Sequence, residues 1–137
     1  MAWVLRYMYN LISKTKKSAG KTGELSVEEE AEAEIYLCKQ VQKQTFGDDV
    51  EDLAAKRNLS QKSELKTLNP FIASDGLLRV CGRIENATFL SLDARRPIIL
   101  PKSHPFTRIL VESYHVRFCH INVATVISEV RQKFWVP

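Results

Sequence analysis

The chain has 137 residues, 45% of them hydrophobic and 26% charged, which suits one average domain or two small ones. It contains no run of 18 apolar residues, so the sequence indicates no membrane-spanning helix. Three cysteines without regular spacing fit reduced intracellular thiols better than a disulfide framework. The net charge of +4 is segregated, because residues 1–23 and 65–137 each carry +5 while residues 24–64 carry −6.

The N-terminal segment is apolar and basic, and it predicts a helix from Ala2 to about Lys16, followed by a linker that ends near residue 23. A targeting peptide or a membrane-surface helix is the alternative interpretation of such a segment.

A second helix is predicted to begin at Ser26-Val27-Glu28-Glu29, a capping box in which hydroxyl and carboxylate satisfy free backbone amides reciprocally. Six glutamates between residues 24 and 34 are typical of a solvated helix face. One apolar stripe is expected to pack, formed by Ala31, Ile35, Cys38 and Val41. Gly47 is expected to break this helix, a further helical stretch covers Asp48 to Lys56, and residues 58–68 are interpreted as a polar connector.

The pattern changes after Asn69. Asp75-Gly76 is a turn signal, and Leu78 and Val80 alternate with Arg79 and Arg83 in a strand pattern that ends at Ile84. The apolar run between Pro97 and Pro101 predicts a second short strand. The sequence therefore predicts a small hairpin or β-ribbon.

Two helices are expected after the ribbon. The first begins at Ser103-His104-Pro105 and runs to about Phe118. The second follows Asn122, a residue that caps helices, and carries an apolar stripe at helical spacing: Val123, Val126, Ile127, Val130 and Phe134. The predicted fold class is therefore α+β and mainly α-helical.

His115 and His120 form a candidate metal-ligand pair. On a continuous helix, five positions separate two side chains by about 140°, so both could bind one ion only if the chain turns near Phe118 or Cys119. The spacing alone favours two ordinary histidines, surface or half-buried.

Several motifs resemble the polyprotein of BEL/Pao-type retrotransposons at the entry to its integrase. They are Pro70-Phe71-Ile72, the segment from Gly76 to Ala87, the segment from Pro97 to Pro101, the pair His115 and His120, and Phe134-Trp135-Val136. The N-terminal AWVLRYMYNL matches as well, so the resemblance covers nearly the whole chain. Cys81 and Asn122 depart from it, because the family has glycine at both positions.

The resemblance implies four regions: a basic N-terminal helix and linker (1–23), an acidic helical connector (24–68), a β-ribbon (69–103) and the first part of an integrase zinc-binding domain (104–137). The family's remaining zinc ligands, a Cys-x-x-Cys pair, and its catalytic carboxylates find no counterpart in these 137 residues. Two histidines alone bind zinc weakly, since thiolates supply much of the binding free energy. We therefore expect this chain to hold zinc weakly or not at all.

The resemblance further implies an accessory, non-catalytic role in DNA integration, through contacts with element DNA and with other integrase or polyprotein segments. The candidates for phosphate contact are the basic residues nearest the histidine pair: Arg108, Arg117, Arg131 and Lys133. The alternative function is a protein-interaction or linker module, or an inactive remnant of a retrotransposon.

Overall fold

The computed structural model describes residues 1–15, 19–81, 87, 89–118 and 122–137. Within these ranges the chain is α+β and mainly helical, as the sequence predicts. It forms two compact units, Met1–Cys38 and Lys39–Pro137. Across the described ranges, no helix combines the length and the apolar character needed to cross a membrane.

The first unit contains helix α1 (Ala2–Thr15) and the start of helix α2 (Val27–Ala54). The predicted capping box is confirmed, because Glu29 N–H donates to Ser26 Oγ at 3.3 Å and Ser26 N–H donates to Glu29 Oε2 at 3.0 Å. Glu29 itself is buried and forms an ion pair with the buried Arg6 of α1. The acidic run is therefore not solvated throughout, since this one carboxylate joins the two helices.

Helix α2 is longer than predicted. The expected break at Gly47 is a kink one residue earlier, where Phe46 has non-helical dihedral angles (φ −117°, ψ 28°), and the helix then continues to Ala54. Phe46 is buried in a core cluster, so packing of its ring holds the helix together through a position where local propensity favours an end. In the predicted stripe, Cys38 and Val41 are buried but Ala31 is exposed.

The second unit is built around a four-stranded sheet of order β1-β2-β3-β4. The strands are β1 (Pro70–Ile72), β2 (Leu78–Val80), β3 (Ile98–Ile99) and β4 (Phe134–Trp135). Strand β2 runs antiparallel to both of its neighbours, β1 and β3, whereas β4 runs parallel to β3. The predicted β-ribbon thus forms the first part of this sheet, and the expected strand end at Ile84 lies outside the described residues.

The β1–β2 hairpin turns at the predicted Asp75-Gly76 pair. Gly76 has φ +76°, a left-handed conformation that glycine adopts without a steric penalty, and its N–H donates to Ala73 O at 2.8 Å. Asp75 Oδ1 accepts a hydrogen bond from Leu77 N–H at 3.0 Å, which fixes the entry into β2.

Strand β4 corrects the predicted helical stripe. Phe134 belongs to a strand and not to the preceding helix, since Ile98 N–H donates to Lys133 O and Leu100 N–H donates to Trp135 O, both at 2.9 Å. Phe134 is fully buried. The partner strand that captures these residues lies more than 30 positions away in sequence, which helical spacing cannot reveal.

One core cluster of this unit joins buried side chains of α2, the 58–68 segment and the sheet: Phe46, Leu65, Leu78, Val80 and Ile99. The segment 58–68, interpreted as a polar connector, includes a 3₁₀ turn (Lys66–Leu68) and contributes the fully buried Leu65. The connector therefore packs against the cluster through Leu65 and through the partly buried Leu59 and Leu68.

Arg79 lies on the face of β2 opposite to that of Leu78 and Val80, yet all three residues are buried. Its guanidinium donates to Asp75 Oδ2 at 2.9 Å, to Asp93 Oδ1 at 2.8 Å and to Arg96 O at 2.8 Å. Burial lowers the pKa of Arg79, but the hydrogen bonds with Asp75 and Asp93 outweigh it and raise the pKa above its ordinary value. This network ties the short helix α3 (Leu92–Arg95) to the hairpin.

Candidate nucleic-acid interface and metal-ligand residues

The candidate residues lie on helices α4 (Pro105–Arg117) and α5 (Val123–Arg131), which pack against each other. The N-cap of α4 is His104, whose Nδ1 accepts a hydrogen bond from Phe106 N–H at 3.1 Å, with Pro105 in the first turn. The cap of α5 is Asn122, as predicted, since its Oδ1 accepts from Ala124 N–H at 2.9 Å. Each helix therefore begins at a side-chain cap encoded in the sequence.

His104 has a structural role. Because Nδ1 accepts a backbone N–H, the proton resides on Nε2, which lies 3.0 Å from Gln44 Oε1 and donates to it. Both ring nitrogens of His104 are therefore engaged in hydrogen bonds.

His115 lies in the last turn of α4 and is half-buried. Its predicted partner His120 lies outside the described residues, as does Cys119. Among the residues that the structure describes, no three histidine, cysteine, aspartate or glutamate side chains gather where they could hold a metal ion. The pairing of His115 and His120 on zinc stays a prediction.

Each of the four predicted basic residues has a neighbour that orients it. Arg108 faces Glu112 at 3.4 Å, and both side chains are highly exposed. The other three lie over aromatic rings, with the cationic group 5.6–5.7 Å from the ring centroid: Arg117 over Tyr114, Arg131 over Trp135 and Lys133 over Phe134. Stacking of this kind restrains the position of a cationic side chain.

The four residues do not form one patch. Arg108 and Arg117 are nine positions apart on α4, which places them on opposite sides of the helix and about 14 Å apart along its axis. Arg117 therefore belongs with His115 at the C-terminal end of α4, and Arg108 belongs to the N-terminal end.

A fifth cation, Lys102, joins the residues at that N-terminal end. Lys102 and Arg108 line one open cavity of about 570 Å³, and Lys102 and Arg131 line another of about 270 Å³. Val111 and Val136 line both, so the two cavities adjoin. We call this feature the cationic groove, defined by Lys102, Arg108, Arg131, Val111 and Val136.

The floor of the groove is apolar. The buried side chains Val126, Val130 and Phe134 line its smaller cavity, and Ile127 is half-exposed at its side. Glu112 is the acidic side chain that lines the larger cavity, and no Asp or Glu side chain lines the smaller one in the described part of the chain. The sequence prediction did not include Lys102, because it considered only basic residues near the histidine pair. Lys102 follows Pro101 in the segment between β3 and α4. Its position just before α4 is the sequence signal that could have identified it.

Comparison of the chain with protein-family models, with curated proteins and with solved structures finds no match.

Proposed function

We propose that this chain is an accessory, non-catalytic module of a retroelement integrase that contacts the backbone of DNA through the cationic groove. The observation that supports this most directly is the convergence of Lys102, Arg108 and Arg131 from three separate segments on adjoining cavities. The resemblance of the sequence to BEL/Pao-type polyproteins supplies the biological context.

The charges of the groove favour phosphate. Lys102 and Arg131 flank the smaller cavity, whose described lining holds no Asp or Glu side chain, so no acidic side chain there offsets their attraction for an anion. Arg108 is partly neutralised by Glu112, which makes it the weakest of the three. Lysine and arginine that neutralise phosphates release counterions, and binding then weakens with salt in proportion to the number of contacts.

The test is the affinity for a fluorescent DNA duplex, measured by anisotropy as a function of KCl concentration. Three phosphate contacts predict a slope of about −2.7 in log K against log salt, or a loss of about 40-fold between about 50 and 200 mM. The variant that carries Lys102→Gln and Arg131→Gln should have a slope of about −0.9.

A matched control removes two charges elsewhere on the same unit. Lys43 and Lys56 are exposed and lie on or just after α2, so Lys43→Gln with Lys56→Gln changes net charge equally without touching the groove. The control should retain the slope of the unmodified chain. If both double variants lose equal DNA affinity, binding depends on net charge and not on the groove, which contradicts the proposal. Arg117→Gln should weaken binding less than either groove substitution, because Arg117 lies at the far end of α4.

A second candidate is a protein-interaction module, and the apolar floor of the groove favours it. Val126, Val130 and Phe134 offer a surface on which an apolar side chain of a neighbouring polyprotein segment can rest. The salt titration separates the two: absence of duplex binding at low salt favours the protein-interaction or remnant reading over the DNA-binding one.

We propose that this chain by itself binds zinc weakly or not at all, since His115 and His120 supply two of the four ligands that a structural site needs. Metal analysis of protein purified at low chelator concentration tests this, and one zinc per chain would contradict it.

A further inference from the structure

Helix α1 presents an apolar face to solvent. Trp3, Val4, Tyr7, Met8 and Leu11 are 59%, 56%, 65%, 52% and 49% exposed. At 100° per residue, these five positions fall within an arc of about 140°. The opposite side of the helix carries Arg6 and Ser13, which are only 8% and 4% exposed, and Tyr9, which is 47% exposed. We call the five exposed residues the α1 face.

The polar side of α1 fixes the orientation of this face. Arg6 makes a two-pronged ion pair with Glu29, and its guanidinium also donates to Gly23 O at 2.6 Å and to Glu24 O at 2.8 Å. Rolling α1 about its axis to bury the apolar face within the first unit would break all of these bonds and leave two buried charges unpaired. The α1 face is therefore held outward by the same contacts that attach the helix.

The size of the face indicates its purpose. Side chains of these types, about half exposed, leave roughly 600 Å² of apolar surface per copy, at the upper end of what a monomer normally presents. Two such faces that cover each other completely would bury roughly 1,200 Å², the lower limit for stable specific interfaces.

The charge pattern of the face is compatible with a second copy. The face itself carries no charged side chain, although the segment 1–23 that contains it carries five basic residues and no acidic one. An uncharged stripe parallel to the helix axis is, however, complementary to itself: in an antiparallel pair Trp3 lies opposite Leu11, and Tyr7 lies opposite its own copy.

We propose that a second copy of this chain docks on the α1 face and forms a two-fold symmetric dimer. The dimer is independent of the proposed DNA contacts, because none of its residues belongs to the cationic groove.

Sedimentation velocity of the full chain, over about three decades of concentration, tests the proposal. A reversible dimer is expected, and Trp3 emission should shift to shorter wavelength as it forms. Tyr7→Glu and Leu11→Glu should each raise the dimer dissociation constant about thirtyfold or more, because each places a charge inside a desolvated interface. Phe89→Glu is the matched control, since Phe89 is 87% exposed but lies outside the face, and it should leave the constant unchanged.

A glutamate variant with an altered circular dichroism spectrum has changed its fold, and its loss of dimer is then not informative. Met8→Ser is a milder second variant that tests the same face. A chain that stays monomeric throughout the concentration range overturns the proposal. So does a dimer that Met8→Ser and folded Leu11→Glu leave intact, or a monomer that sediments with vesicles through this face.

Discussion

Gln42 joins α2 to the sheet through a primary amide that replaces a rung of the β-ladder. The register pairs Arg79 of β2 with Ile98 of β3, so Leu78 stands opposite Ile99 one step along. Gln42 Nε2 donates to Leu78 O and to Ile99 O, and Oε1 accepts from Leu78 N–H, each at 2.8 Å. The Gln42 side chain is thus a substitute for backbone pairing at the centre of the second unit, where it is only 2% exposed.

Replacement by leucine, Gln42→Leu, keeps the size of the side chain and removes all three hydrogen bonds. One buried N–H and two buried carbonyl groups lose their partner, at about 1–3 kcal/mol each, and the added apolar burial returns about 1–2 kcal/mol. We expect the free energy of unfolding to fall by about 3 kcal/mol. Gln40→Leu on the same helix is the control, because Gln40 is exposed and its replacement should change stability by about 0.5 kcal/mol or less.

Urea unfolding followed by Trp135 emission in a Trp3→Phe background measures the loss in the second unit. Hydrogen exchange at the Leu78 amide gives a local reading, since this N–H should become the least protected of strand β2 in Gln42→Leu. A loss below about 1 kcal/mol, or an unchanged exchange rate at Leu78, would refute the reasoning that the amide replaces the ladder.

The remaining predictions concern charge and metal. Ion pairing with Arg6 lowers the pKa of Glu29 from 4.5 to about 2, so its stabilising effect is complete above pH 4.5 and disappears as pH falls towards 2. Acid titration of helicity should therefore be flatter between these values for Glu29→Gln. Asp93→Asn should lower stability by about 1 kcal/mol in thermal unfolding, because Arg79 keeps its bond to Asp75, whereas Arg79→Met should cost more than Asp93→Asn. Neither added zinc nor a chelator should change the melting temperature of the unmodified chain or of His115→Ala. If zinc raises the melting temperature of the unmodified chain and His115→Ala abolishes that rise, the expectation of weak binding is contradicted.

Local signals in the sequence located the helices well. Capping at Ser26 and Asn122, proline at the first position of α4, and the Asp75-Gly76 turn all act over a few residues, and each is confirmed at its predicted place. The α+β, mainly helical fold class follows from the same signals.

The candidate site was only partly predictable. The sequence identified Arg108 and Arg131 as basic residues near the histidine pair, and both line the groove. Helical geometry separates Arg117 from Arg108, and Lys102, which also lines the groove, was not predicted. Adjacency on a surface depends on how α4, α5 and β4 pack, and nearness in sequence does not determine it.

By itself, the sequence determined where most of these helices begin, where the hairpin turns and which residues carry the charge, because caps, turns and charges depend on neighbouring residues. Tertiary structure alone decided that Phe134 joins a strand, that Gln42 completes a rung of the sheet and that Glu29 is buried against Arg6. Each of these depends on a hydrogen-bonding partner more than 20 residues away, and only folding brings those groups together.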